Sequence, residues 1–210
     1  MTSVPDSPSA RRRAPEERPQ QILDAAFHEF AEHGLAGTRL DDIAKRAGVA
    51  KGTIYLYFPN KEALFREMVR STIIEALTEA EATHEAHKSD NAETALRRQA
   101  IHTWEFHRTE RVRLIKRLVH DELVHFPDLM AFYAQEVIAR GRRLMSAIIE
   151  RGIARGEFRP VDPKIAARMY SAIWISHSTW CNNRAFHPQL GADEQVLEEM
   201  IEFFLHALKP

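Results

Sequence analysis

One cysteine, Cys181, stands in 210 residues, so no disulfide can form within the chain and no zinc-type cysteine cluster is available. A surplus of one charge is missing too. The 29 Lys and Arg face 30 Asp and Glu, and a formal net charge of −1 argues against a protein wholly devoted to coating nucleic acid. No apolar run approaches the roughly 18 consecutive residues of a membrane span, and no charged-then-apolar leader opens the chain. No membrane partner is expected, and a cytoplasmic location is. The sequence contains no phosphate-binding glycine loop, no H-E-x-x-H and no nucleophile elbow, so neither catalysis nor a cofactor or metal is expected. Convincing period-two alternation and internal repeats are also absent. What remains is a chain with 44% apolar residues, enough to bury a substantial core.

That core reads as helical throughout. Residues 1–14, "MTSVPDSPSARRRA", mix Pro, Ser and Arg without periodicity and read as a disordered arm; Arg11, Arg12 and Arg13 read as a solvated tail rather than a groove-tracking arm. Beyond Pro19, the apolar positions Ile22, Leu23, Ala26, Phe27 and Phe30 follow helical spacing, which Gly34 can end in the left-handed conformation. Thr38 then opens "TRLDDIAKRAG" with Asp41 in capping-box position, an inward stripe of Leu40, Ile43, Ala44 and Ala47, and Gly48 as a stop. A tight turn leads to a third short helix, about Lys51 to Tyr57, closed by Pro59. Two short helices across a glycine turn make a helix-turn-helix layout. Asn60 caps a long amphipathic helix that fades into a polar stretch. Further helices are predicted at roughly 92–108, 109–125, 128–155, 163–184 and 193–208.

The third helix is poorly suited to a core. Gly52 weakens it, Thr53 and Ile54 are β-branched, and Lys51 stands at its start. Small or long polar side chains on the first turn of a short helix suit entry into a major groove, and Tyr55 and Tyr57 add phenolic donors for phosphate. Residues 38–61 also concentrate five basic side chains (Arg39, Lys45, Arg46, Lys51, Lys61) against two acidic ones, Asp41 and Asp42. The stretch "GTRLDDIAKRAGVAKGTIYLYFPNKEAL" resembles the DNA-binding signature of TetR-type transcriptional regulators. Gly37-Thr38, Asp42-Ile43-Ala44, Ala47-Gly48-Val49, Lys51-Gly52-Thr53, Tyr55, Tyr57-Phe58, Asn60-Lys61 and Leu64 fall in register, and the close resemblance covers about residues 19–66. Ala50 departs from the pattern, which often has Ser or Thr there, so the third helix lacks a side-chain cap.

The resemblance implies an all-α protein: a three-helix DNA-binding domain, here 15–62, followed by a larger helical effector-binding and dimerisation domain, 63–210. It implies that Thr38 and Tyr57 touch phosphate, that Lys51, Gly52, Thr53 and Tyr55 face the groove, and that Lys61 anchors a further backbone contact. Arg39 is counted with them. Double-stranded operator DNA is the implied partner, and ligand-released repression the implied mode of action. A single helix-turn-helix contacts few bases, so specificity calls for a homodimer with readers about 34–36 Å apart. The last two helices are the expected interface, through Met169, Ile173, His177 and Trp180 on one and Leu197, Met200, Ile201 and Phe204 on the other. Trp104, His107, Phe126, Met130, Tyr133 and Trp174 are the expected pocket residues, favouring a small apolar or aromatic effector.

A helical metal enzyme is the competing reading. Two E-x-x-H pairs, Glu81 with His84 and Glu122 with His125, have the spacing used by di-iron bundles. Glu81 and His84 have no apolar flank, and with this many acids and histidines chance pairs are expected. A helical partner-binding module would explain the apolar terminal helices but not Lys51-Gly52-Thr53.

Overall fold

A computed structural model describes residues 17–181 and 193–210, with the side chains of 179–181 outside that description. Arg11–Arg13 and the side chains of Trp180 and Cys181 therefore lie outside the described residues. No strand occurs among the described residues, and the chain divides into two compact units between Leu64 and Phe65.

The first unit holds α1 (Arg18–Gly37), α2 (Leu40–Ala47), α3 (Lys51–Tyr57) and the start of α4 (Lys61–Val69). The apolar stripe of α1 is buried as its spacing demands, with Ile22, Ala26 and Phe30 fully covered, and it meets Ile43 and Ala44 of α2 and Ile54 of α3 in one small core. Each such side chain contributes about 1.5–3 kcal/mol on burial. Gly34 interrupts α1 at φ 71°, ψ 174°, a conformation open essentially to glycine, and the kink drives Leu35 into the core. Gly48 ends α2 at φ 65°, its N–H and that of Val49 satisfying the last carbonyls of the helix.

Thr38 is not the cap of α2. That position belongs to Arg39, which makes no side-chain cap bond, while the buried Thr38 hydroxyl donates to the carbonyls of Gly34 (2.6 Å) and Glu29 (3.2 Å). The carbonyls freed by the Gly34 kink are nearer than the N–H groups of α2, so Thr38 joins the two helices. Arg46 adds a second tie, donating to the buried Glu29 at 2.6 Å and bidentately to Glu32. Asn60 does cap α4, accepting from the Ala63 N–H at 2.8 Å.

The second unit continues α4 through a π-helical turn (Arg70–Ile74) into α5 (Glu75–Ala86), so the helix persists through the polar stretch in which it was expected to fade. Ala80 supplies a buried anchor there, and Glu81 is held by Arg140 at 3.0 Å. Then come α6 (Ala92–Arg108), α7 (Glu110–Asp121), a 3-10 turn (Leu123–His125), α8 (Pro127–Tyr133), a second π turn (Ala134–Ile138), α9 (Ala139–Ala154), α10 (Pro163–Cys181) and α11 (Asp193–Leu208). The single helix expected over 109–125 is thus α7 plus a tight turn: Glu122 leaves helical geometry at φ −125°, ψ −27°, and Pro127 keeps Phe126 out of it at the end of the turn.

The main core of this unit is built by α6, α9, α10 and α11, with Leu96, Ile149, Ala167, Trp174, Ile201 and Leu205 at its centre. Trp104 meets Trp174 edge-on at 6.1 Å, and Tyr170 meets Phe204 at 5.2 Å. Arg97 of α6 reaches Glu198 (2.9 Å) and Glu202 of α11, and the Arg159 N–H donates to the Leu208 carbonyl at 2.8 Å. These bonds fix the end of the chain against α6 and the turn after α9.

Candidate nucleic-acid interface and effector cavity

The seven residues of α3 divide sharply by environment. Ile54 is fully buried and Phe58, just past the helix, nearly so; Lys51, Gly52, Tyr55, Leu56 and Tyr57 are exposed, Leu56 at 82% and Tyr55 at 47%. One buried side chain in two turns is the least that holds a helix on a domain, and it leaves most of α3 facing outward. Ala50 stands at the N-cap with no side-chain bond, as expected from its methyl group. A Cβ built on Gly52 meets nothing within 4 Å, so packing inside the domain does not require glycine there.

The charged residues of this face are held by weak, solvent-exposed ties. Lys51 Nζ lies 2.7 Å from the Asp41 carboxylate, both well exposed, and this contact raises the Lys51 pKa. Arg39 is exposed at the start of α2. Lys61 instead turns inward over the end of α1, donating to the carbonyls of Ala36 (2.8 Å) and Thr38 (3.4 Å). Thr53 is half-buried. Of the eight residues named from sequence, Arg39, Lys51, Gly52, Tyr55 and Tyr57 therefore share an exposed character, whereas Thr38 and Lys61 also hold the domain's own joints.

The second unit holds a partly open cavity of about 310 Å³. The two π turns contribute to its wall through Ile73, Val137 and Ile138, and the aromatic side consists of Phe106, Tyr133, Tyr170 and Trp174. Of the six pocket residues named from sequence, His107, Tyr133 and Trp174 line it. Trp104 lies behind Trp174 in the core, while Phe126 and the exposed Met130 are not part of the lining. Lys116, Arg142, Gln99 and Thr103 line it as well, polar residues that a search for aromatics passed over. Burial brings the Lys116 pKa down to about 8, and its ammonium donates to the Ser178 hydroxyl. Burial, then the charges of Lys116 and His177, hold His107 down to about 3, and burial raises the Tyr133 phenol to about 12.

The terminal helices carry two kinds of apolar residue. Ile201 and Phe204, expected at a dimer surface, are buried in this chain's own core at 2% and 6% exposure and leave a partner little to cover. Met169 is 60% exposed, while Ile173, His177, Leu197 and Met200 are partly covered. Ile165 on α10 and Phe203 on α11, further apolar residues of the same two helices, are exposed as well, the latter at 69%. The two E-x-x-H pairs do not meet a common centre: Glu81 is engaged by Arg140, and no group of three His, Cys, Asp or Glu side chains suited to a metal occurs among the described residues.

Similarity to known proteins follows the same division. Residues 22–68 match the profile of bacterial regulatory proteins of the tetR family, and residues 94–209 match the C-terminal domain of AefR-like transcriptional repressors. The HTH-type transcriptional regulator RutR of Escherichia coli (strain K12) is 29% identical over 225 residues, covering 95% of this chain and 94% of that one. Among solved structures, a regulator from Saccharomonospora viridis in complex with choline superposes with a TM-score of 0.75 at 21% identity, covering 93% and 99% of the two chains. FadR from Bacillus subtilis in complex with stearoyl-CoA gives 0.71 at 22%, covering 89% and 97%. With both halves matched, the chain belongs to the tetR family of DNA-binding bacterial transcriptional regulators.

Proposed function

We propose that this regulator is a ligand-released repressor that acts as a homodimer, reading operator DNA with α3 and sensing an effector in the cavity of the second unit. The observation that carries the reading is the outward face of α3, where Lys51, Gly52, Tyr55 and Tyr57 stand exposed around the single anchor Ile54. A bare Gly52 lets a DNA backbone or base edge approach closely, Lys51 exchanges Asp41 for a nucleic-acid acceptor, and the tyrosine hydroxyls donate to phosphate. Arg39 at the start of α2 adds a flanking cation. Thr38 and Lys61 support this surface chiefly by setting the angle between α1, α2 and α4.

Dimerisation is supported by two stripes of mainly apolar residues left exposed or only partly covered within one chain. Ile165, Met169, Ala172 and Ser176 recur at helical spacing on the exposed side of α10, and Val196, Met200, Phe203 and Ala207 recur on α11. Stripes of this kind suit a four-helix contact with a second copy, which brings two α3 helices to one face of a duplex. RutR and KstR2 are named as a transcriptional regulator and a transcriptional repressor, and the ligands in similar folds include stearoyl-CoA and choline. Ligand release then requires that effector favour a dimer conformation with weaker operator affinity, and operator must weaken effector binding by the same factor.

The test is fluorescence anisotropy of purified protein on DNA upstream of its own coding region, with random duplex as competitor at several salt concentrations. Specific retention that falls steeply with salt, and is weakened in Lys51→Ala, supports the reading. Equal affinity for random duplex at every salt concentration counts against it.

A further inference from the structure

The cavity has a sign. Its polar lining includes Lys116, Arg142, His102, His107 and His120, and among the described residues it contains neither aspartate nor glutamate. Among the same residues, the carboxylate paired with a lining side chain is that of Asp121, on His120 at 2.8 Å and itself 56% exposed. Three buried polar atoms of the lining have no hydrogen-bond partner among the described residues, Nδ1 of His107, Nε of Arg142 and the Tyr170 hydroxyl. The described partner of Lys116 is the neutral Ser178 hydroxyl. Buried cations without a counter-charge pay a desolvation cost that an incoming anion relieves.

From this lining we infer that the effector is an amphiphile with an apolar or aromatic body and one anionic head group, the head seated against Lys116 and Arg142. The inference rests on the reading of this cavity as the effector site and sharpens the expectation of a merely apolar ligand. The body lies along Ile73, Leu77, Val137 and Trp174, and Gln99 and Thr103 supply neutral hydrogen-bonding groups beside it. Lys116, with a pKa near 8, remains largely cationic at neutral pH. A cationic ligand of the same shape meets like charge with nothing to offset it, so the lining selects by repulsion as well as attraction. A volume of about 310 Å³ lies at the small end of the roughly 300–1,000 Å³ typical of ligand pockets, which suits a short chain or one ring system.

Three probes of one shape decide the matter: octanoate, 1-octanol and octylammonium, titrated calorimetrically into the full-length protein. Octanoate should bind at least about tenfold more tightly than octanol, with octylammonium weakest, a difference of the order that one charge-assisted bond provides. In Lys116→Met and Arg142→Leu, each checked for an intact melting transition, octanoate should fall toward the octanol value. Octanol or octylammonium binding as well as octanoate in the wild-type protein overturns the anionic head group while leaving an effector cavity in place. Octanoate affinity unchanged in both folded variants places the anion elsewhere and also overturns the inference. Binding of none of the three removes both the inference and the effector reading of the cavity, whereas the operator assay stands or falls independently. Should either variant fail to fold, the wild-type ranking alone decides.

Discussion

Lys51 and Tyr55 occupy the first two turns of α3 with their side chains in solvent, and neither supports the core of its own domain. Replacing either with alanine should therefore leave the melting temperature near that of the wild type and weaken specific operator binding by roughly tenfold. Unchanged operator affinity in both variants would show that other residues read the bases. His107 makes a different kind of prediction. Its folded pKa of about 3 lies below the ordinary 6.5, so between those values the unfolded chain binds a proton that the folded chain does not. Stability is lost as pH falls through that window, and His107→Gln should show a shallower drop in melting temperature from about pH 7 to about pH 5. Parallel curves for the two proteins would contradict a buried neutral imidazole. The same residue illustrates what was legible in sequence: aromatic character drew attention to His107, Tyr133 and Trp174, which do line the cavity. Lys116 was readable too, since it sits on the inward stripe of α7 between Val112 and Val119, but a lone lysine there is easily taken for one that reaches past the core to solvent.

At the scale of elements, the close approach of α9 to the turn behind it depends on Gly152. A methyl group there would stand 2.3 Å from the Phe158 ring and 2.7 Å from the Ala92 Cβ. Gly152→Ala should therefore destabilise by about 1–3 kcal/mol despite alanine's better helix propensity, measured as a lower denaturation midpoint. An unchanged or raised midpoint would mean that Phe158 can move aside freely. Ala50→Ser should act in the opposite direction, adding the missing cap of α3 for about 1 kcal/mol and a rise of about 2–4 °C in melting temperature. No rise would imply that the introduced hydroxyl adds nothing to the first turn, where the Thr53 N–H already donates to the Ala50 carbonyl at 2.8 Å. Periodicity read most of these helices because each buries one stripe: α6 and α11 begin and end where the spacing placed them, at 92–108 and 193–208. The exceptions have local causes. Thr38 had the composition of a capping box, yet a nonlocal kink at Gly34 offered its hydroxyl better acceptors, and the π turns at 70–74 and 134–138 leave no mark in apolar spacing because the stripe shifts by a single residue.

Over the whole molecule, the apolar residues of α10 and α11 fall into two environments that composition cannot separate. Both helices are amphipathic over a wide arc, and only burial shows that Phe204 belongs to the chain's own core while Phe203, one residue away, faces outward. Substitutions should part accordingly. Phe204→Ala should cost about 3–5 kcal/mol of folding stability. Phe203→Glu or Met169→Glu should leave each chain folded, halve the mass seen by analytical ultracentrifugation and abolish tight operator binding. A dimer that survives both acidic substitutions would move the interface elsewhere.

The most direct measurement is selection of full-length protein on a random pool of duplex DNA, followed by sequencing of the bound fraction. A two-fold symmetric dimer reading with α3 should enrich an inverted repeat whose half-sites lie about 34–36 Å apart or a multiple of it, and Lys51→Ala should weaken that enrichment. A pool that stays random, or a consensus that Lys51→Ala and Tyr55→Ala both retain in full, would contradict the assignment of α3 as the reader.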